Sequence, residues 1–447
     1  MKGKLMFFDE VAWDKSDAQL ATWKTSLLNP ESLQKITTLI KTHRQGVSDH
    51  LFPPQKGSFN MVIRLRFIDG ASAIIRFPIP GYSIFPDEKL QHEVSVMRFL
   101  ERHTGIRIPH VLYHGSSDES PNQLGPFIIM EYIDHNADLV DALNTPGIPD
   151  EERPVLDPNI DENRLRSVYN QMAGLLLQVS KHSFPRIGCI SNAAEDEFDD
   201  EWVVEHRPLS INMNELVQVG GVAAGDLPGV TETFGTARAY LLALAELHMR
   251  HLSSQRNDAV DDAQDCRMKY IARPANVLAN SDFGYKISGA IDWEFAYAAP
   301  LEFVYSPPCW LLLERPEYCE EGIDDWERVY ESRLGVFLQE LRVREDVDIR
   351  RGVIGEENRL SGHMRESWDN GGFWVSYAAR RSWAFDIIYW ARIDQRFFGE
   401  GSLEDRIELL TVEERDGMEA FVQRKLSEKE GGGLNKPQFD VFDLTLS

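Results

Sequence analysis

Apolar positions recur at helical spacing near both ends of the chain and alternate in its first third. Residues 17–28 and 32–43, divided by Asn29-Pro30, read as two helices of a preface over 1–45 whose Trp13, Trp23, Leu27 and Ile40 pack on a neighbouring lobe. From Gln55 the period changes to two. The run 61–67 alternates, Asp69-Gly70 turns, and the run 73–77 returns, a strong hairpin signal. A helix begins at Pro86-Asp87 and ends at Gly105, with Leu90, Val94 and Met97 as its buried stripe and Glu93 beside that stripe. Residues 108–112 and 127–133 are further strands, the second running into the polar bend Asp134-His135-Asn136.

Beyond that bend, residues 145–163 are rich in Pro, Asp and Glu and read as a surface excursion. Helices are expected over 165–179, 236–252, 324–341, 373–390 and 404–426. The runs 187–190 and 209–217 read as a peripheral pair of strands joined by the acidic loop 195–201. His248 and His251 lie near the end of their helix, where the dipole favours a positive imidazole, and no metal-ligand partners stand nearby in the sequence. The aromatic segment 373–390 is core or the wall of an acceptor pocket. The tail 431–447 opens on three glycines and should be mobile.

Composition narrows the function classes. A chain of 447 residues with 43% apolar residues and ten tryptophans folds, with enough length for two or three packed units. Its net charge of −25 disfavours nucleic acid and anionic membrane as partners, because both need a basic footprint. Cys189, Cys266, Cys309 and Cys319 lack zinc spacing or disulfide-scaffold density and read as reduced thiols. The apolar run near the N-terminus is too short for a signal-peptide core, so a soluble cytoplasmic protein is expected.

The chemistry concentrates between Arg273 and Pro300. The runs 275–278 and 285–291 read as two short strands around the tight connection 280–284. In such a hairpin Asn276 and Asp292 converge, and two hard oxygen ligands suit Mg²⁺. Arg273-Pro274-Ala275-Asn276-Val277-Leu278, followed by Ile291-Asp292-Trp293-Glu294, resembles the aminoglycoside phosphotransferase family in its fungal branch of protein-kinase-like small-molecule kinases. The resemblance implies that Asn276 and Asp292 are catalytic residues holding Mg²⁺ on ATP. It implies that Arg76 clamps phosphate with Glu93 behind it, that the turn at Gly57 and Ser58 covers the nucleotide, and that backbone around Glu131, Tyr132 and Ile133 meets the adenine edge. A single glycine at 57 is, by itself, an ordinary turn signal.

One part of the family pattern is absent. The general-base Asp belongs five positions before Asn276, where Ile271 stands between Tyr270 and Ala272, and none of the three can bind a proton reversibly near neutral pH. Related chains carry Asp-Cys-Arg-x-Lys-Tyr-Ile-Ala-Arg, as at 265–273, with further residues before the Arg-Pro-x-Asn loop. Here the two motifs share Arg273, which implies a missing segment that includes the base.

The implied fold is α+β and two-lobed, protein-kinase-like. Its expected parts are an N-terminal helical extension (1–45), a small antiparallel-sheet lobe (46–135) and a large, mainly helical lobe (136–430). The implied activity is ATP-dependent phosphorylation of a small-molecule hydroxyl, impaired without the base. The alternatives are a non-catalytic nucleotide-binding or scaffold protein, or a defective product.

Overall fold

The computed structural model describes residues 10–134, 139–149, 152–193, 200–255, 259–273, 287–288 and 293–430. Asn276, Asp292, most of the expected hairpin around them, and the tail 431–447 lie outside the described residues.

Two helices open the chain, α1 (Glu10–Leu27) and α2 (Pro30–His43), with Asn29 capping the second through its side chain. The small-lobe sheet follows: β1 (Ser48–Leu51), β2 (Gln55–Lys56), β3 (Asn60–Phe67), β4 (Ser72–Pro78), then helix α3 (Pro86–His103), then β5 (Val111–Gly115) and β6 (Phe127–Glu131). The strand order is β1-β3-β4-β6-β5, all antiparallel, with β2 also on β3. The β3–β4 hairpin turns at Gly70, whose φ of +88° is open to glycine at no steric cost, and the Asp69 carboxylate accepts from the Ala71 amide.

Strand alternation sorts this sheet into two faces. Met61, Ile63, Leu65 and Phe67 of β3, with Ala73, Ile75 and Phe77 of β4, pack under Leu27, Ile36 and Ile40 of the two N-terminal helices. Burying one such large side chain contributes about 1.5–3 kcal/mol, so α1 and α2 form a structural layer of the lobe. The opposite face meets α3 through Ile74, Ile128, Met130 and Val111 against Leu90, Val94 and Met97. Arg76 belongs to this second face, because its cross-strand neighbours are Val62 and Ile128. The far side of α3 carries Val96, Phe99 and Leu100 into a core shared with the large lobe. Buried on two sides, α3 holds even Glu93 and Lys89 at 2% exposure each.

The large lobe runs α4 (Leu139–Leu143), α5 (Glu162–Ser180), β7 (Ser183–Phe184), β8 (Cys189–Asn192), β9 (Trp202–His206), α6 (Ile211–Gln218), α7 (Ala237–Ser254), α8 (Ala263–Ala272), β10 (Ile287–Ser288), α9 (Leu301–Val304), α10 (Ile323–Arg350), α11 (Leu360–Asn370), α12 (Gly372–Ala379), α13 (Phe385–Ile388), α14 (Asp394–Phe398), α15 (Leu403–Glu408) and α16 (Val412–Glu430). Its main core joins α5, α10, α11 and α12 around Trp326, Tyr330, Trp368, Phe373, Trp374 and Tyr377. Among the described residues no helix is long and apolar enough to cross a membrane.

Three expectations are corrected. The run 209–217 forms α6, because the Ser210 side chain caps it by accepting from the Met213 amide, and β8 pairs instead with β9. The segment 373–390 breaks after Ala379. There the hydroxyl of buried Ser382 accepts from Asn212 Nδ2 and lies 2.8 Å from His248 Nδ1, while its backbone amide donates to Asn212 Oδ1, which competes with helix continuation. The segment 404–426 divides between α15 and α16, where Thr411 and Glu414 cap the second helix reciprocally.

Candidate active site

The glycine turn forms because β2 and β3 are joined by only three residues. The Gly57 amide donates to the Asn60 carbonyl at 2.8 Å, leaving Gly57 and Ser58 exposed at the tip. Asn60 then enters the sheet with 4% exposure, so its side chain points into the lobe and needs partners there. It finds two: its Nδ2 donates to Glu294, and its Oδ1 accepts from the Lys89 ammonium at 3.0 Å.

Among the described residues those contacts belong to a network of four charges, with Lys89 and Glu93 buried and Arg76 and Glu294 partly exposed. Arg76 on β4 is ion-paired with Glu93 on α3 and lies 3.8 Å from Glu294. Lys89, one helical turn before Glu93, stands 3.9 Å from Glu93 and 3.8 Å from Glu294. Among the described residues two cations thus face two carboxylates, so that each charge has an opposite charge beside it. Glu294 comes from the short helical turn Trp293–Phe295 that directly follows Asp292. It therefore ties the segment after the expected metal ligand to the glycine turn and to both clamp cations. Phe295 adds an aromatic contact, edge-on to Phe59 of the turn with centroids 5.3 Å apart.

The structure pairs Arg76 with Glu93, and the Gly57–Ser58 turn connects to that pair through Asn60, Lys89 and Glu294. Lys89 and Asn60 were missed. The available signal for Lys89 was its position four residues before Glu93, which places both on one helix face.

The strand end at Glu131–Ile133 is placed differently in detail. The Glu131 amide donates to the His110 carbonyl at 3.0 Å and the Tyr132 amide to the Ser72 carbonyl at 3.0 Å, so both donors are used within the sheet. Arg64 stacks on the Tyr132 ring at 3.7 Å and bonds Asp134, while Ile133 is half-buried.

Ile271, at the position expected for the base, is buried on α8 against Met418 and Val422 of α16. No proton-accepting group occupies that position. Two residues later Arg273, 2% exposed, ends the helix in a saturated setting. Its guanidinium holds Asp386 bidentately at 3.0 and 2.8 Å and donates to the His248 carbonyl at 2.8 Å and weakly to His251 Nδ1. This arginine anchors the chain immediately before the expected metal loop.

The two histidines beside it are not the positive helix-end groups expected from the sequence. Burial, then the neighbouring Arg273 charge, pushes His248 down to about 3 and His251 well below the ordinary range, so both are neutral. Desolvation outweighs the favourable dipole. Among the described residues no group of three or more His, Cys, Asp or Glu side chains is placed to hold a metal ion. The four cysteines are free of disulfides.

The partly exposed Arg76 guanidinium is a group that suits phosphate, whereas the buried Lys89 ammonium is engaged by Asn60, Glu93 and Glu294. The Mg²⁺ ligands implied by the resemblance, Asn276 and Asp292, lie outside the described residues.

No family model matches the chain. Altered inheritance of mitochondria protein 9, mitochondrial, from Debaryomyces hansenii is 26% identical over 138 residues, 30% of this chain. The matched stretch spans only 20% of that relative's length. Among solved structures, Plasmodium vivax ethanolamine kinase superposes with a TM-score of 0.38 and 10% identity, over 94% of this chain and 95% of that one. A Thermobifida fusca protein assigned as fructosamine-3-kinase gives a TM-score of 0.29 and 12% identity, over 75% and 98%. Both names are those of small-molecule kinases.

Two outcomes follow from this geometry. Lys89→Met leaves buried Glu93 and partly exposed Glu294 facing Arg76 and should cost about 3 kcal/mol in urea unfolding, with partial recovery in the Lys89→Met, Glu294→Gln double variant. A loss below about 1 kcal/mol would contradict the network. For the histidines, a folded pKa below the ordinary 6.5 means stability that is complete above that value and is lost as pH falls toward 3. His248→Gln should therefore flatten the stability–pH curve by about one proton between pH 6 and 4; an unchanged slope would show His248 to be charged in the fold.

Proposed function

We propose that the chain is a protein-kinase-like phosphotransferase of the aminoglycoside phosphotransferase family. In this reading it binds ATP with Mg²⁺ between the two lobes and phosphorylates a small-molecule hydroxyl slowly. The observation that carries the reading is the Arg76–Glu93 pair beneath the glycine turn, joined through Lys89 and Asn60 to Glu294. Arg76 orients the phosphates, Glu93 holds Arg76 in place, and the Gly57–Ser58 turn covers them. Asn276 and Asp292 are assigned the Mg²⁺, whose chemistry is to neutralise charge on the phosphate oxygens. Phosphoryl transfer rests largely on positioning and charge neutralisation, so these parts support slow turnover without a general base.

A second reading, a nucleotide-binding protein without turnover, is favoured by one observation. Ile271 is locked into an apolar core at the position of the base, and the saturated Arg273 fixes the approach to Asn276. The small-molecule acceptor is not identified by either reading. The acidic surface argues against nucleic acid or anionic membrane as the partner.

ATP should raise the melting temperature only when Mg²⁺ is present, and Asp292→Ala should remove that rise. Phosphorylated product from a panel of amino-alcohols and sugars, lost in Asp292→Ala, identifies the slow enzyme. Stabilisation without product identifies the binding protein. No Mg²⁺-dependent stabilisation contradicts both.

A further inference from the structure

The loop between β4 and α3, residues 79–85, joins four parts of the molecule that the nucleotide reading leaves unconnected. On one side it meets α1. Gly81, at φ +81°, lies so close to that helix that an added Cβ would stand 3.0 Å from Ser16 Cα and 2.6 Å from Gln19 Oε1. Next to it Tyr82 donates its hydroxyl to Asp17 and sets its ring 5.9 Å from that of Trp13. On the second side the same ring receives the Lys56 ammonium at 4.5 Å, and Lys56 is the residue immediately before Gly57.

The third connection runs to the turn itself. The Phe59 carbonyl accepts from both the Ile79 amide at 2.8 Å and the Ser83 hydroxyl at 3.1 Å. The fourth crosses to the large lobe. Asn214 of α6 donates to the Tyr82 carbonyl at 2.8 Å and accepts from the Ile84 amide at 2.8 Å.

Strand parity separates this arrangement from the clamp. Lys56 pairs with Met61 and so shares the α1–α2 face of the sheet, whereas Arg76 lies on the other face. Lys56 therefore does not reach the phosphates; it steadies the turn from behind. The first half of α1 also has little apolar burial to hold it. Between Val11 and Leu20 only Ser16 is buried, and the contacts with Gly81 and Tyr82 are among those that hold this half.

We propose that α1 is a positioning arm for the glycine turn, acting through Asp17, Tyr82 and Lys56, so that docking of α1 and binding of a nucleoside triphosphate favour one another. Such coupling is reciprocal by linkage: the ligand must protect the helix to the same extent that the helix improves the ligand's affinity. Tyr82 is the positioning residue, Asp17 fixes its hydroxyl, and Asn214 sets the loop against the large lobe. The nucleotide half of the proposal rests on the kinase-like reading; the mechanical half does not.

The test compares wild type with Tyr82→Phe and Asp17→Asn in the full-length chain, by hydrogen exchange and by Mg–ATP calorimetry. Gly81→Ala serves as a stronger variant, with circular dichroism confirming that it folds. The expected result is faster exchange at residues 10–20 together with residues 56–60, and a Mg–ATP affinity about three- to tenfold weaker. Mg–ATP added to wild type should slow exchange at residues 10–20. Faster exchange confined to α1, with the turn and the affinity unchanged, would overturn the proposal and leave α1 as a cover for the sheet. If wild type binds no nucleotide, the kinase reading fails and coupling to nucleotide fails with it. Exchange at residues 56–60 in the variants then still decides whether α1 steadies the turn.

Discussion

Two cations and two carboxylates, drawn from β4, α3 and the short turn after Asp292, neutralise one another where the small-lobe sheet, α3 and Glu294 meet. Arg76 and Lys89 carry charges that the interior tolerates only when they are paired, and Glu93 and Glu294 supply the pairing. The consequence is geometric. Glu93 can be buried because α3 is covered on both sides, and α3 is covered because its stripe meets the sheet while Val96, Phe99 and Leu100 meet the large lobe. Asn60 completes the arrangement by using its backbone to close the glycine turn and its side chain to join Lys89 with Glu294.

The chemistry stops where the network ends. Arg273 is held by Asp386 and the His248 carbonyl, and Ile271 is packed against α16, so the position of a proton acceptor is filled with hydrocarbon. The proposed site would therefore hold phosphate through Arg76 without the group that would take a proton from an attacking hydroxyl. This separation of grip from proton transfer is what distinguishes the slow-enzyme reading from the binding reading, and both depend on the same clamp.

Much of the small lobe was legible because alternation and an Asp-Gly turn leave few alternatives: the β3–β4 hairpin and α3 formed close to where the pattern puts them. Arg76 and Glu93 could be grouped from sequence because one ends a strand and the other flanks a helix stripe. Lys89 could not, since a lysine beside a stripe usually reaches solvent; only burial of α3 on both sides makes it internal. The run 209–217 misled because its apolar content suits a strand, while the deciding signal was one serine cap. His248 and His251 misled for a related reason: helix-end electrostatics are local, whereas the desolvation that keeps them neutral comes from distant packing. The break after Ala379 was equally hidden, because Ser382 meets its partners across 170 and 134 residues of chain.

The central claim is that Arg76 grips phosphate, and the most direct measurement is calorimetric affinity for ATP, ADP and AMP at fixed free Mg²⁺. Affinity should fall along that series as phosphates are removed, and Arg76→Met should flatten the gradient while leaving AMP binding nearly unchanged. A gradient that persists in Arg76→Met, or equal affinity of wild type for all three nucleotides, would contradict it.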